Sequence, residues 1–140
     1  MKASESIYCR CLYFSANAFA RKVEKLAVES WKPVGLAPSH AYLLMLVIDH
    51  PGIQPSALCE QLLLQPSTIT RLVEKLEKQK LLVRVNEGKT TSIYATAKGN
   101  KLQPELKSCL KHFYETYSAI LGKEESARMV RDMNTLTDKL

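Results

Sequence analysis

The sequence predicts a mainly α-helical fold with one small β-hairpin, and three observations carry that expectation. Apolar residues recur at spacings of three and four through most of the chain, as in helices that bury one face. One stretch follows another rule: Leu81-Leu82-Val83-Arg84-Val85-Asn86 alternates after its first two residues, Glu87-Gly88-Lys89 is a tight reversal, and residues 90–96 return as a β-branched and aromatic strand. Just before it, Pro55-Ser56 and Pro66-Ser67 open two helical segments only a few residues apart. Helix, turn, helix and hairpin in that order are the layout of a winged helix-turn-helix.

Each element has a local cause. Over residues 4–30, Ile7, Cys11, Phe14, Ala18, Val23, Leu26 and Ala27 fall near the helical period without an intervening Pro or Gly, which predicts one long first helix. Trp31-Lys32-Pro33-Val34-Gly35 ends it, because proline clashes with the preceding turn and glycine loosens the backbone. Pro38 starts a second helix whose residues 42–48 are apolar nearly all round, so it belongs at the centre of the domain. Asp49-His50-Pro51-Gly52 is a turn, and Pro55 opens a third helix reaching about Leu63. In the fourth, residues 66–80, Ile69, Leu72, Val73 and Leu76 form one apolar stripe that seats the helix. Ser67, Thr68, Thr70, Arg71, Glu74, Lys75 and Lys78 are left facing out.

Beyond the hairpin, Lys98-Gly99 marks the start of a helical stretch carrying Leu102, Leu106, Leu110, Phe113, Tyr117, Ile120 and Leu121. Gly122 interrupts it, and residues 124–140 form a final amphipathic helix through Ala127, Val130, Met133, Leu136 and Leu140. The first and last helices carry more apolar surface than the small central motif can cover. Long exposed stripes are costly, so pairing with a second copy is the expected solution.

Composition narrows the function classes. A chain of 140 residues, 46% hydrophobic and 24% charged, is ordinary for one globular domain. The longest nearly apolar run, residues 41–48, is far short of the roughly 20 a membrane span requires, and the opening MKASES lacks a signal-peptide pattern, so a cytoplasmic protein with no membrane partner is expected. Cys9, Cys11, Cys59 and Cys109 are accordingly read as reduced thiols rather than a disulfide framework. The net charge of +6 is concentrated: residues 64–101 hold eight basic and three acidic side chains, and so supply five of the six net charges. An excess gathered on one helix and its hairpin suits a polyphosphate partner.

The runs GLAPSHAYLLMLV, LCEQLLLQPSTITRLVEKLEKQKLLVRV and the hairpin ending in ATAKG resemble the MarR family of bacterial transcription regulators, over nearly the whole chain and most specifically in PSTITRLVEKLEKQKLL. The resemblance implies a single protomer over residues 1–140, with residues 36–97 as the DNA-binding winged helix-turn-helix lobe and residues 1–34 and 98–140 as a helical dimerisation region. It further implies a homodimer that reads double-stranded DNA as a pseudo-palindrome, with half-sites about one turn apart. On that basis Ser67 and Thr68 present hydroxyls and backbone N–H groups at the start of the recognition helix. Thr70 and Arg71 face the groove, and arginine there suits a guanine edge or a phosphate. Lys75, Lys78 and Arg84 add backbone contacts. The wing departs from the family pattern of an acidic residue followed by paired arginines: NEGKTT is short, with Lys89 its single basic side chain at the tip.

Control of binding has two candidate devices. Members of the family respond to small aromatic or anionic effectors held between dimerisation helices and DNA-binding lobe, and Phe14, Trp31, Tyr42 and Met45 are the residues here that would line such a site. A peroxide-sensing branch uses a reactive cysteine near the start of the first helix, which Cys9, with Tyr13 on the next turn, resembles; its second supporting tyrosine has no counterpart. No metal site or cofactor is expected: His40, His50 and His112 are far apart in sequence, and Cys9 and Cys11 would point about 200° apart around a helix. No phosphate loop or nucleophile elbow suggests an enzyme. The alternative function is a winged-helix protein-interaction module without DNA binding.

Overall fold

The computed structural model describes residues 1–140, as seven α-helices and one two-stranded antiparallel sheet. The helices are α1 (Leu12–Trp31), α2 (Pro38–Asp49), α3 (Pro55–Leu62), α4 (Pro66–Lys78), α5 (Ala97–Lys101), α6 (Gln103–Leu121) and α7 (Lys123–Thr137). The strands are β1 (Leu82–Glu87) and β2 (Thr90–Ala95). The chain forms two compact units: Met1–Ser30 with Leu110–Leu140, and Trp31–Cys109. The second encloses the 36–97 segment expected to bind DNA.

In the winged unit α2 packs against α3, α4, α5 and β2. Ala41, Leu43, Leu44 and Val47 on α2 are fully buried, together with Leu58 of α3, Leu76 of α4, Ile93 of β2 and Leu106 of α6. Helix α2 is not enclosed on every side, since Tyr42 remains 38% exposed. The hairpin register runs from Leu82 opposite Ala95 to Glu87 opposite Thr90, which leaves a two-residue loop. Gly88 sits there at φ +63°, a conformation that costs glycine little. Ile53 adds a bridge to Ile93, closed by Ile93 N–H donating to the Ile53 carbonyl at 3.0 Å and Gly52 N–H donating to the Ile93 carbonyl at 2.9 Å. The wing is thereby fastened to the turn that precedes α3.

The motif ATAKG joins hairpin to helix. Thr96 donates its hydroxyl to the Lys80 carbonyl at 2.7 Å and accepts the Gly99 N–H at 3.1 Å, capping α5. Lys98 Nζ donates to the Gln79 carbonyl at 3.1 Å, at the C-terminal end of α4. Gly99 has no room for a side chain, because a Cβ would run into the Leu81 carbonyl oxygen. These contacts fix where α4 ends relative to the wing.

The terminal unit differs from its expected form at the start. The first helix begins at Leu12, not near Ser4; residues 3–5 are a single 3₁₀ turn and residues 7–10 are turns. Ser6 is the cause: its hydroxyl accepts the Tyr8 N–H at 3.1 Å and its backbone is extended, an alternative to the helical ladder that short hydroxyl side chains offer. Ile7 is consequently exposed rather than part of a buried stripe. Cys9 therefore precedes α1 instead of lying one turn before Tyr13 on the same helix. Within this unit an apolar cavity of about 310 Å³ is lined by Phe19, Val23, Phe113, Tyr117, Ile120 and Met133 among others, with Lys22 its single charged neighbour. Tyr117 packs its ring against Phe113 and Tyr114, with centroids at 5.1 and 5.5 Å.

Candidate nucleic-acid interface

Helix α4 exposes one polar face because the opposite one is anchored. Ile69, Leu72, Val73 and Leu76 are buried, against neighbours on α2, α3 and β1. Ser67, Thr70, Arg71, Glu74, Lys75 and Lys78 are exposed and Thr68 is half-buried, so the structure brings the recognition-helix candidates together on one surface. Pro66 occupies the first helical position, where its missing N–H needs no partner, no side chain caps the helix, and the Thr68 and Ile69 N–H groups donate to the Gln65 carbonyl at 3.0 and 3.1 Å. The hydroxyl of Thr70 donates to the Pro66 carbonyl at 3.0 Å, so its oxygen lone pairs are what it offers outward. Arg71, Lys75 and Lys78 enter no ion pair within the chain.

The basic residues are not equivalent. Arg84 on β1 is bridged to Glu77 on α4 at 2.8 Å, with both side chains roughly one-third exposed. Its guanidinium ties wing to helix before it meets any ligand, and only its unused donors face outward. Lys89 is exposed at the hairpin tip beside Gly88. The wing thus presents one uncommitted cation, and Val83, Val85 and Tyr94 are its exposed apolar residues.

His40 was not a sequence candidate for this interface. It lies in the first turn of α2, half-buried, with Nδ1 shut from solvent and without a hydrogen-bond partner. Burial, and secondarily the Lys75 ammonium on α4, hold its imidazole below the ordinary range. The pairing of α2 with α4 that creates this proximity has no one-dimensional signal. The Glu77–Arg84 bridge was hidden for the same reason, although opposite charges flanking a short reversal hinted at it.

The control candidates belong to both units. Trp31 is fully buried and packs on Tyr42 with ring centroids 5.2 Å apart, while Met45 on the same helix as Tyr42 is half-buried. Phe14 belongs to the terminal unit, where its ring packs on Tyr8 at 6.4 Å. None of these four lines the apolar cavity. Cys9 and Tyr13 are both exposed, and the Cys9 carbonyl accepts the Ser15 hydroxyl at 3.4 Å. Cys59 is half-buried; Cys109 is buried, and burial together with nearby Glu105 raises its thiol above the ordinary range, against a smaller opposing effect of the Val34 backbone. No helix is long and apolar enough to cross a membrane.

Comparison with known proteins places this geometry. Residues 34–90, which contain α2, α3, α4 and most of the hairpin, match the model of the MarR family. The transcriptional repressor MdtR of Bacillus subtilis (strain 168) is 23% identical over 117 residues, 81% of this chain and 76% of that protein. Among solved structures, the transcriptional repressor CouR bound to a 23-mer DNA duplex has a TM-score of 0.83 at 18% identity, covering 98% of each chain. CouR bound to p-coumaroyl-CoA has a TM-score of 0.86 at 16% identity, covering 99% of this chain and 100% of that one. At such identities these structural matches establish the fold.

Proposed function

We propose that the chain is a member of the MarR family, whose model matches residues 34–90, and a sequence-specific DNA-binding transcription regulator in the cytoplasm. It acts as a homodimer on a pseudo-palindromic operator, as a repressor relieved by a small ligand or by thiol oxidation. The observation that carries the reading is the outward face of α4: Ser67, Thr70, Arg71, Lys75 and Lys78 lie together, exposed, on a helix held by four buried apolar residues. Arg71 reads a base edge, guanine being the best match to its donor fork, and the lysines hold phosphates. Dimerisation uses the terminal unit, where Ile120, Val130, Met133 and Leu136 remain exposed in one chain. Comparison proteins have been solved with DNA and with p-coumaroyl-CoA, which supports a DNA partner and a small aromatic or anionic effector.

Fragments of the source genome passed over the purified protein at two salt concentrations test this. A few fragments should be retained selectively and lost at the higher salt as counterions compete. Arg71→Ala should weaken that retention by about 10- to 100-fold, the equivalent of about 1–3 kcal/mol for a bidentate base contact. A second reading, a winged-helix module that binds protein instead, draws on the single uncommitted cation of the wing. It predicts no selective retention at either salt and no effect of Arg71→Ala.

A further inference from the structure

We infer that Glu74 is a specificity-determining residue of the α4 face: its carboxylate accepts a hydrogen bond from a cytosine amino group in the major groove, close to the base that Arg71 reads. This rests on the DNA-binding reading above and adds a second base-reading side chain to it.

The geometry of α4 singles out Glu74. The helix turns about 100° per residue, so the buried stripe of Ile69, Leu72, Val73 and Leu76 defines an opposite, outward midline. Ser67, Arg71, Glu74 and Lys78 fall within about 30° of that midline, whereas Thr70 and Lys75 fall about 70° to either side of it. A helix laid in the major groove turns its midline to the base edges and its flanks to the phosphates. Lys78 shares the midline only in the last turn, which leaves Arg71 and Glu74 together at its middle. Three residues separate them by about 4.5 Å along the axis, and they stand on opposite sides of the midline. With base pairs about 3.4 Å apart, the two side chains reach neighbouring or next-neighbouring pairs.

The charge on Glu74 runs against its surroundings. Residues 64–101 hold three acidic side chains. Glu77 is committed to Arg84, and Glu87 stands at the end of β1 beside the wing loop. Glu74 is exposed and enters no ion pair within the chain, although Arg71 and Lys78 lie one turn away on either side. Brought against DNA, an unpaired carboxylate meets phosphate repulsion and loses its water unless a donor satisfies it. Two bases offer an amino group in the major groove. The adenine amino group stands beside the N7 acceptor, which opposes a carboxylate, while cytosine presents its amino group with no N7 beside it. Glu74 therefore fits cytosine, and the same charge counts against a site that places another base there.

The test is selection of sites from a randomised duplex library by the full-length protein, as wild type, Glu74→Ala, Glu74→Gln and Arg71→Ala, with circular dichroism confirming each fold. Affinities at constant salt are then measured for the selected site and for versions in which each base pair of a half-site is changed in turn. The wild type should prefer cytosine by about tenfold or more at one position per half-site. That position should lie within two base pairs of the one whose preference Arg71→Ala removes. Glu74→Ala should lose the cytosine preference alone and bind unrelated DNA more tightly than the wild type. Glu74→Gln should shift the same position towards adenine, which an amide matches with both a donor and an acceptor. If Glu74→Ala misfolds, Glu74→Gln decides. Unchanged base preferences in the variants, with affinity altered by one common factor at every site, overturn the inference and leave DNA binding intact. Failure of the wild type to enrich any sequence overturns the DNA-binding reading and this inference together.

Discussion

Leu43, Leu44, Leu58, Ile69 and Leu76 of the winged unit are all but fully buried, whereas in the terminal unit Ile120 is 64% and Leu136 58% exposed. The two regions have similar helical periodicity in sequence, yet one closes its core within the chain and the other leaves apolar surface open around a cavity. Burial of a large aliphatic side chain contributes about 1.5–3 kcal/mol, so the winged unit is stabilised by its own contacts, while in the terminal unit that contribution is left for the proposed second copy to supply. The charges are divided as well: the uncommitted cations Arg71, Lys75 and Lys78 line the well-anchored helix. The well-anchored winged unit carries the exposed basic face, and the open apolar helices of the terminal unit are where the proposed second copy would pack.

This contrast can be broken most visibly at Ile120. Ile120→Glu places a charge in the open apolar face, and sedimentation should show a monomer that keeps the far-ultraviolet spectrum of the folded chain. Affinity for a two-half-site fragment should fall by about 100-fold or more, because linked binding of two modules is lost. A variant that remained a dimer would move the interface away from the terminal helices.

In the winged unit the expected loss is of a different kind. Gly99→Ala drives a methyl group into the Leu81 carbonyl, and overpacking of this sort destabilises by about 1–3 kcal/mol. Thermal melts at two protein concentrations should show the same decrease, since this contact lies inside one chain. A decrease that vanished at high concentration would show that the wing junction depends on the partner.

The smallest effect sharpens the account of the turn between α3 and α4. Leu63 ends α3 in the left-handed conformation at φ +53° and is 81% exposed. Left-handed backbone costs a non-glycine residue about 1–2 kcal/mol, and glycine loses about 0.5–1 kcal/mol more on ordering, so Leu63→Gly should stabilise by about 0.5–1 kcal/mol in denaturant titration. Destabilisation would mean that the Leu63 side chain makes a contact which outweighs its backbone strain.

How much the sequence disclosed depends on the range of the interactions. The stripe of Ile69, Leu72, Val73 and Leu76 was legible because helical period and burial are the same fact seen twice. The Pro66 start and the Gly88 reversal were legible because each residue forces its own backbone. The start of α1 was not, since an apolar period continued through residues where the Ser6 hydroxyl captures a backbone N–H. The recognition-helix candidates do share one exposed face, but Arg84 proved to be bridged to Glu77, a pairing that requires the register of β1 against α4. His40, Thr96, Lys98 and the Ile53 bridge owe their roles to residues distant in the chain. Phe14 and Trp31, both candidates for one effector site, fall in different units.

The most direct test of the central claim is the salt dependence of affinity for a retained fragment, measured for the wild type and Ile120→Glu. A recognition face on each of two protomers predicts a steep fall of log K with log salt in the wild type. The slope should be about halved in the monomeric variant, because each winged unit displaces its own set of counterions. A wild-type affinity indifferent to salt, or an equal slope in a proven monomer, would contradict the account.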